Sequence, residues 1–424
     1  MRYLALTEND RKEMLAAIGV SSVDQLYDAV PSELLLKKPI ENLPNHQGEI
    51  EVESILKSYA SENRAASEGP FFLGAGYYRH HIPSAVDHII QRSEFLTSYT
   101  PYQPEISQGT LATIFQFQSI IALLTGMEIA NASMYDGATS LAESCLMALR
   151  IKQGRKNIAT LGNIHPDYLD VTKTFLDLNN AKLVSQIDET CAAVVVQYPD
   201  FKGEIGDLSE VRKKCDSVGA LMIVVTNEIL ALGLLEAPKQ ADICIGEASS
   251  LGVGLNFGGP LLGFFACKKE FVRQMPGRIC GMTTDVDGKP GYVLTLNARE
   301  QHIRREKATS NICSNQGLCA TAFTIHTSLL GEIGFKKLAL INHKKACELA
   351  DILAKVRGVK ILDKSFFNEF SVELSRDANE VNKKLLAKNI IGGFAQGNNM
   401  IFAVSELTST HDMEILASAL EEIL

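Results

Sequence analysis

At 424 residues the chain exceeds one comfortable core, and 46% hydrophobic with 21% charged residues is the balance of a globular protein. A formal net charge of −9 argues against nucleic acid or an anionic membrane as a partner. The nine cysteines include no C-x-x-C pair, which points away from a zinc site and toward a reduced, cytoplasmic setting. The opening Met1–Leu6 is too short and too soon polar for a signal peptide, and no apolar run approaches the roughly 18 residues of a membrane span.

Thr7, with Asp10 three residues on, predicts a capped helix that Gly19 stops, and a second short helix is expected from about Ser22 until Pro31 interrupts it. Residues 1–65 thus read as a helical arm. A long helix is expected over Ser107–Thr125, ended by Gly126, with Leu111, Ile114, Phe117, Ile120, Ile121 and Leu124 facing the core at helical spacing. After a turn at Asn131-Ala132-Ser133 another helix opens at Asp136-Gly137-Ala138-Thr139.

Short aliphatic runs then alternate with helical stretches such as Leu208–Ser217. Asn157–Leu161, Ala192–Gln197, Ala220–Val225 and Ile243–Gly246 are the candidate strands. That alternation predicts a mostly parallel sheet covered on both faces, the α/β class. An apolar helix near Gln316–Leu330 leads into strand, helix, strand, helix, the last capped at Thr410 with Met413, Leu416, Leu420 and Ile423 inward. The expected layout is an arm (1–65), a large α/β domain (66–325) and a small α+β domain (326–424).

Several blocks carry unusual composition. Tyr99-Thr100-Pro101-Tyr102-Gln103-Pro104-Glu105-Ile106-Ser107-Gln108-Gly109 is rich in hydrogen-bonding side chains, poor core material and good pocket lining. Others are Gly74-Ala75-Gly76-Tyr77-Tyr78, the run Asn131 to Thr139, Asn256-Phe257-Gly258-Gly259-Pro260, and Arg299 to Cys313. In this order they resemble the glycine-cleavage P-protein, specifically its N-terminal-half or α-subunit type. The resemblance covers most of residues 65–320. It implies a fold-type-I pyridoxal 5'-phosphate (PLP) transferase-like fold and a share in glycine dehydrogenase (decarboxylating) activity. In that reaction glycine loses CO2 and its aminomethyl group passes to the lipoyl arm of H-protein.

A PLP enzyme needs a lysine for a Schiff base, an acid partner for the pyridine nitrogen, and a helix N-terminus with small residues for the phosphate. The lysine is expected before Gly258-Gly259-Pro260, yet none stands between Gln240 and Ala266; Lys268 and Lys269 follow on what reads as an exposed strand end. Thr226-Asn227 stand where the acid is expected, and alternation directs the neighbouring Glu228 elsewhere. Gly137-Ala138-Thr139 has the small-residue pattern, but Asp136 is placed to cap that helix, and its carboxylate would repel a phosphate.

The resemblance therefore implies a chain that keeps the fold and binds no cofactor itself, with no self-contained catalytic lysine. PLP would be bound mainly by a homologous β subunit in an α2β2 assembly, with glycine and lipoylated H-protein as further partners. Tyr99, Thr100, Tyr102, Gln103, Ser107, Gln108 and His165 are the candidates for lining the partner's pocket; a plain subunit contact is the alternative for the tyrosine-rich stretch, and a structural role for His165. Arg299, His302, Arg304 and Arg305 read either as a solvated helix face or as a docking patch for an acidic lipoyl carrier. A self-sufficient PLP lyase or aminotransferase, and a non-catalytic scaffold, are the alternative functions.

Overall fold

A computed structural model describes residues 6–38, 40–44 and 46–424; Met1–Ala5 of the opening segment lies outside them. The chain divides into two compact units, Met1–Ala65 and Ala66–Leu424.

In the first unit, helix α1 (Glu8–Ile18) starts with the expected reciprocal cap, Thr7 with Asp10, and ends at Gly19 in the left-handed conformation. The helix expected from Ser22 is only a single 3₁₀ turn, Asp24–Tyr27. Helix α2 (Glu49–Ser61), which the sequence reading did not anticipate, has Gly48 at its N-cap and no side-chain cap bond to announce it.

The second unit opens with the short helices α3 (Ser84–Ile90) and α4 (Ser93–Leu96), followed by α5 (Gln108–Thr125), closed by left-handed Gly126. Strand β1 (Ile129–Ala130), helix α6 (Gly137–Ile151), strand β2 (Asn157–Leu161), helix α7 (Pro166–Asp177) and strands β3 (Lys182–Val184) and β4 (Cys191–Gln197) follow. Helix α8 (Leu208–Val218), β5 (Leu221–Thr226), β6 (Ile243–Glu247) and β7 (Gly263–Cys267) complete a seven-stranded sheet of order β1-β7-β6-β5-β4-β2-β3. Strands β2 to β6 pair in parallel, while β7 and β1 are antiparallel.

Because β4, β5 and β6 are buried along their whole length, they read as continuous aliphatic runs. Their alternate residues feed two cores. Val194, Met222 and Val224 meet Phe117, Ile121, Cys215 and Phe323 on one face; Ala193, Val195, Ile223 and Val225 meet Leu141, Cys145 and Leu176 on the other. A hairpin of β8 (Ile279–Thr284) and β9 (Pro290–Thr295), not foreseen, covers Leu111 and Ile114 of α5 through Cys280.

Beyond the one-turn helix α9 (Gln301–Arg304), α10 (Gly317–Leu353) runs across residues 325–326 and breaks at Gly331, whose φ of 58° and ψ of −177° are not helical. It is long and apolar enough to cross a membrane by length and composition, though no unbroken apolar run announced it. Its first half brings Phe323 to the large sheet, and its second brings Ala346, Leu349 and Leu353 to the small one. That smaller antiparallel sheet has the order β10-β11-β13-β12, from β10 (Val359–Ile361), β11 (Glu369–Leu374), β12 (Phe394–Gln396) and β13 (Asn399–Ala403). Helix α11 (Ala378–Ala387) and α12 (Thr410–Ile423) pack on it through Val381, Leu385, Met413, Leu416 and Leu420. Ser409, not the expected Thr410, caps α12, because it is Ser409 that has Asp412 in the reciprocal position.

Candidate functional site

In an open parallel sheet, ligands sit where the strands end at their carboxyl edge. Here that crevice lies beyond β4, β5 and β6, against the first turn of α6. Asp136, with β-region backbone, accepts the Thr139 N–H at 2.7 Å, as its position before Gly137 predicts. Glu247, the last residue of β6, reaches the same turn and accepts the Gly137 N–H at 3.1 Å, the Ser249 N–H at 3.1 Å and the Leu262 N–H at 2.7 Å. Burial raises the Glu247 acid, while these three backbone donors pull the other way. A Cβ on Gly137 would stand 2.0 Å from the Tyr168 hydroxyl, so only glycine fits beneath that ring. Burial, then the Glu247 and Asp136 charges, push the Tyr168 phenol well up. Two carboxylates and a phenol thus occupy the anion-binding end of the helix.

The end of β5 is equally self-contained. Asn227 is buried and its Oδ1 has no hydrogen-bond partner. Glu228 does not turn away as alternation suggested. Its buried carboxylate accepts the Leu230 N–H at 2.9 Å and the Ser250 hydroxyl at 2.9 Å. It also faces His80 Nε2 at 3.2 Å, while His80 Nδ1 faces Glu406 at 2.9 Å. Burial works against a charged imidazole here, but the two carboxylates carry the His80 pKa to about 10; the same contacts bring Glu406 to about 2 despite its burial. His80 is therefore an imidazolium locked between the β5 end and the turn after β13.

The Gly74–Tyr78 block wraps another buried acid. Glu369 accepts the Ala75 N–H at 2.5 Å and the Tyr78 hydroxyl at 3.1 Å, and a Cβ on Gly74 would lie 2.0 Å from its Oε2. Burial raises the Glu369 pKa to about 8.

No lysine enters this crevice from β6 or the turn after it. Lys268 is not simply solvated, as its position suggested: it pairs with Asp242 at the opposite edge, where β6 begins, and Arg212 pairs with the same carboxylate at 2.7 Å. Among the described residues no group of three or more His, Cys, Asp or Glu side chains could hold a metal ion. The residues present do not fit PLP: the phosphate place holds Glu247 and Asp136, the pyridine place holds neutral Asn227, and the Schiff-base lysine is missing.

His165 is buried, stacked on Tyr168 at 4.9 Å and edge-on to Phe201 at 4.8 Å. Its Nε2–H donates to the Ala75 carbonyl at 3.0 Å and Nδ1 accepts the Asp167 N–H at 3.2 Å, so neither nitrogen is free for a ligand. Burial lowers its pKa and keeps it neutral.

The Tyr99–Gly109 stretch lies outside this crevice. Tyr99 is 77% exposed and Tyr102 55% exposed. Gln103 is exposed, and Ser107 starts α5 without a side-chain cap bond. Gln108 is a clip: its amide donates to the Pro104 and Tyr292 carbonyls at 2.7 and 2.8 Å and accepts the Tyr292 N–H at 2.8 Å, fixing α5 to β9. Thr100 and Tyr102 converge on Arg278, a residue the sequence reading missed. Its buried guanidinium donates to Thr100 Oγ1 at 3.0 Å and Tyr102 Oη at 2.9 Å, and pairs with buried Glu300 at 3.4 Å. His302 lies edge-on to Tyr102 at 6.0 Å and 3.8 Å from Glu300. The signal available was weak: an arginine between Gly277 and a β-prone run.

The Arg299–Lys307 segment is not one helix. It folds as short turns around α9, with Arg305 at a positive φ of 53° and Leu296, just ahead of the segment, at 57°. Arg299 is spent on the carbonyls of Met275, Gly277 and Leu296, and Arg304 donates to Ala298 at 3.1 Å. Arg305 is exposed and His302 half-exposed.

Comparison with known proteins places this arrangement. The profile of the family described as glycine cleavage system P-protein matches residues 1–420. The chain is 51% identical to the probable glycine dehydrogenase (decarboxylating) subunit 1 of Erythrobacter litoralis and 49% identical to that of Maricaulis maris, covering 100% of both chains in each case. It superposes on the inhibitor-bound crystal structure of a glycine decarboxylase (P-protein) with a TM-score of 0.92 at 41% identity, over 100% of each chain. Sphingosine-1-phosphate lyase of Burkholderia pseudomallei shares the fold alone, with a TM-score of 0.66 at 14% identity over 93% of this chain and 94% of that one. The architecture is the fold-type-I PLP-dependent transferase fold expected from the sequence, and the chain belongs to the glycine cleavage system P-protein family.

Proposed function

We propose that this chain is the lysine-less subunit of a two-chain glycine decarboxylase, with the cofactor carried by a homologous second subunit. The relatives' designation as subunit 1 supports such a partner. The observation that carries the reading is the pair of carboxylates, Glu247 and Asp136, on the Gly137 and Thr139 amides. A helix start whose Gly137 and Thr139 amides already bond two acids meets a phosphate dianion with strong repulsion.

In this reading the second subunit would hold the cofactor, which would supply the electron sink for glycine decarboxylation, and the aminomethyl group would pass to the lipoyl arm of H-protein. This chain contributes surface: the exposed Tyr99 and Tyr102, with Gln103 and Ser107 beside them, complete the partner's cleft. Arg278 and Gln108 hold that loop in place from behind. His302 and Arg305, the less consumed members of the basic segment, remain the docking candidates for the acidic H-protein. An α2β2 assembly and a cytoplasmic location, in keeping with nine unpaired cysteines, complete the proposal.

The test is glycine–bicarbonate exchange in the presence of lipoylated H-protein, measured for this chain, for the second subunit and for their mixture. Exchange is expected only when the second subunit is present, and at full rate only in the mixture. Turnover by this chain alone, or an aldimine absorbance band when it is titrated with PLP, overturns the reading.

A further inference from the structure

A second concave site lies where β2 and β3 begin, at the edge of the sheet opposite the crevice described above. It is a cavity of about 450 Å³ lined by α6, by Arg155 and Lys156, and by residues 308–311, Thr309 and Asn311 among them. Among its lining residues is Glu143, 0% exposed, whose two carboxylate oxygens both fall short of a hydrogen bond of ordinary geometry. Burial pushes this acid up to about 7, against the pull of the Arg150 charge and of the Asn311 backbone N–H. Arg150, two helical turns along the same face of α6, is also incompletely used: one terminal nitrogen donates to the Gln274 carbonyl at 3.0 Å, and its Nε has no partner.

A buried carboxylate whose only neighbours of opposite polarity among the described residues are the Asn311 N–H and Arg150, and a guanidinium nitrogen without an acceptor, are each costly to leave so. A simple cation would satisfy Glu143 but would meet the repulsion of Arg150, Arg155 and Lys156. A simple anion would satisfy the arginines but would be opposed by Glu143. A molecule with an ammonium and a carboxylate on neighbouring atoms satisfies both at once. The volume falls in the roughly 300–1,000 Å³ range of small-molecule sites.

We propose that this cavity binds a small α-amino-acid zwitterion, its ammonium donating to Glu143 and its carboxylate accepting from Arg150. The site is independent of the cofactor question, since it draws on none of the crevice residues.

Thermal unfolding and calorimetric titration of the full chain, without the second subunit, test it with glycine, L-alanine and L-serine as probes and with acetate and methylammonium as single-charge controls. At least one amino acid is expected to give a saturable heat and a concentration-dependent rise in Tm, with both controls at least tenfold weaker. Glu143→Gln is expected to fold with an equal or higher Tm, because a buried charge is removed, and to bind the amino acid at least tenfold more weakly. Arg150→Gln should weaken binding likewise and serves if the first variant fails to fold. No saturable binding by any of the three amino acids, equal binding by a control, or unchanged binding in a folded variant overturns the proposal.

Discussion

Glu247, at the carboxyl end of β6, accepts the Gly137 N–H at the first turn of α6 at 3.1 Å, an amide that backbone geometry aims at an external anion. The side chain thus acts as a resident counter-ion that joins the sheet to the helix. Replacing it with alanine strands the buried Gly137, Ser249 and Leu262 amides. Glu247→Ala should therefore lose about 3–5 kcal/mol, and Glu247→Gln, which keeps one acceptor, about 1–2 kcal/mol. Denaturant midpoints of the two variants measure this, and a loss below ~1 kcal/mol in the alanine variant removes the anchoring role.

His80 between Glu228 and Glu406 predicts a two-sided pH dependence. The His80 pKa rises to about 10 on folding, so its contribution is complete below the unfolded value near 6.5 and disappears as pH climbs through 10. That of Glu406 falls to about 2, so its contribution is present above the unfolded value near 4.5 and disappears as pH falls toward 2. His80→Gln leaves two carboxylates facing each other around a neutral amide, and should cost about 3–5 kcal/mol at pH 7. It should also flatten the decline of stability expected between pH 8 and 10 in the parent chain. A parent-like slope in the variant over that range would mean that other groups set the alkaline limit.

The α/β frame was legible because its signals are local and periodic. The runs in β4, β5 and β6 are apolar throughout since both faces are covered, and Gly126, Asp136 and Thr7 mark helix ends by their own chemistry. Helix α2 and the β8–β9 hairpin were not legible, the first for want of a side-chain cap, the second because its packing on Leu111 and Ile114 is a tertiary fact. At the site, Asp136 could be read since it acts within its own turn. Glu247, Glu228 and Glu369 could not, because their partners lie 110, 148 and 294 residues away in the chain. Strand alternation also misdirected Glu228, since β5 ends at Thr226 and the pleat does not continue through Asn227. Arg299 and Arg304 look available in sequence, yet the broken backbone of their segment turns them onto carbonyl oxygens.

Glu369 gives a third test, with the opposite sign to Glu406. Its pKa rises from the ordinary range near 4.5 to about 8, so the folded state holds a proton that the unfolded chain releases. Its contribution is complete below pH 4.5 and is lost as pH rises through 8. Glu369→Gln keeps a neutral group beside Ala75 and Tyr78, whose hydroxyl can donate or accept. The variant should match the parent within about 1 kcal/mol at pH 5 and exceed it above pH 8, by unfolding measurements at both. Identical pH profiles would show Glu369 to be ionised throughout.

Arg278 separates the loop's position from the chain's stability. Arg278→Ala leaves Glu300 buried without its cation and should lose about 3–5 kcal/mol. Arg278→Lys keeps the charge but lacks the planar fork that holds Thr100 and Tyr102 together, so the chain should fold while the loop is released. Tyr99→Ala alters an exposed side chain and should change stability by no more than about 0.5 kcal/mol. If the loop completes the second subunit's cleft, both folded variants should lower exchange in the mixture about tenfold or more, with binding between the subunits retained in a pull-down or by light scattering. Full-rate exchange by both would reduce Tyr99–Gly109 to a surface loop, and lost association would make it a subunit contact with no share in the cleft.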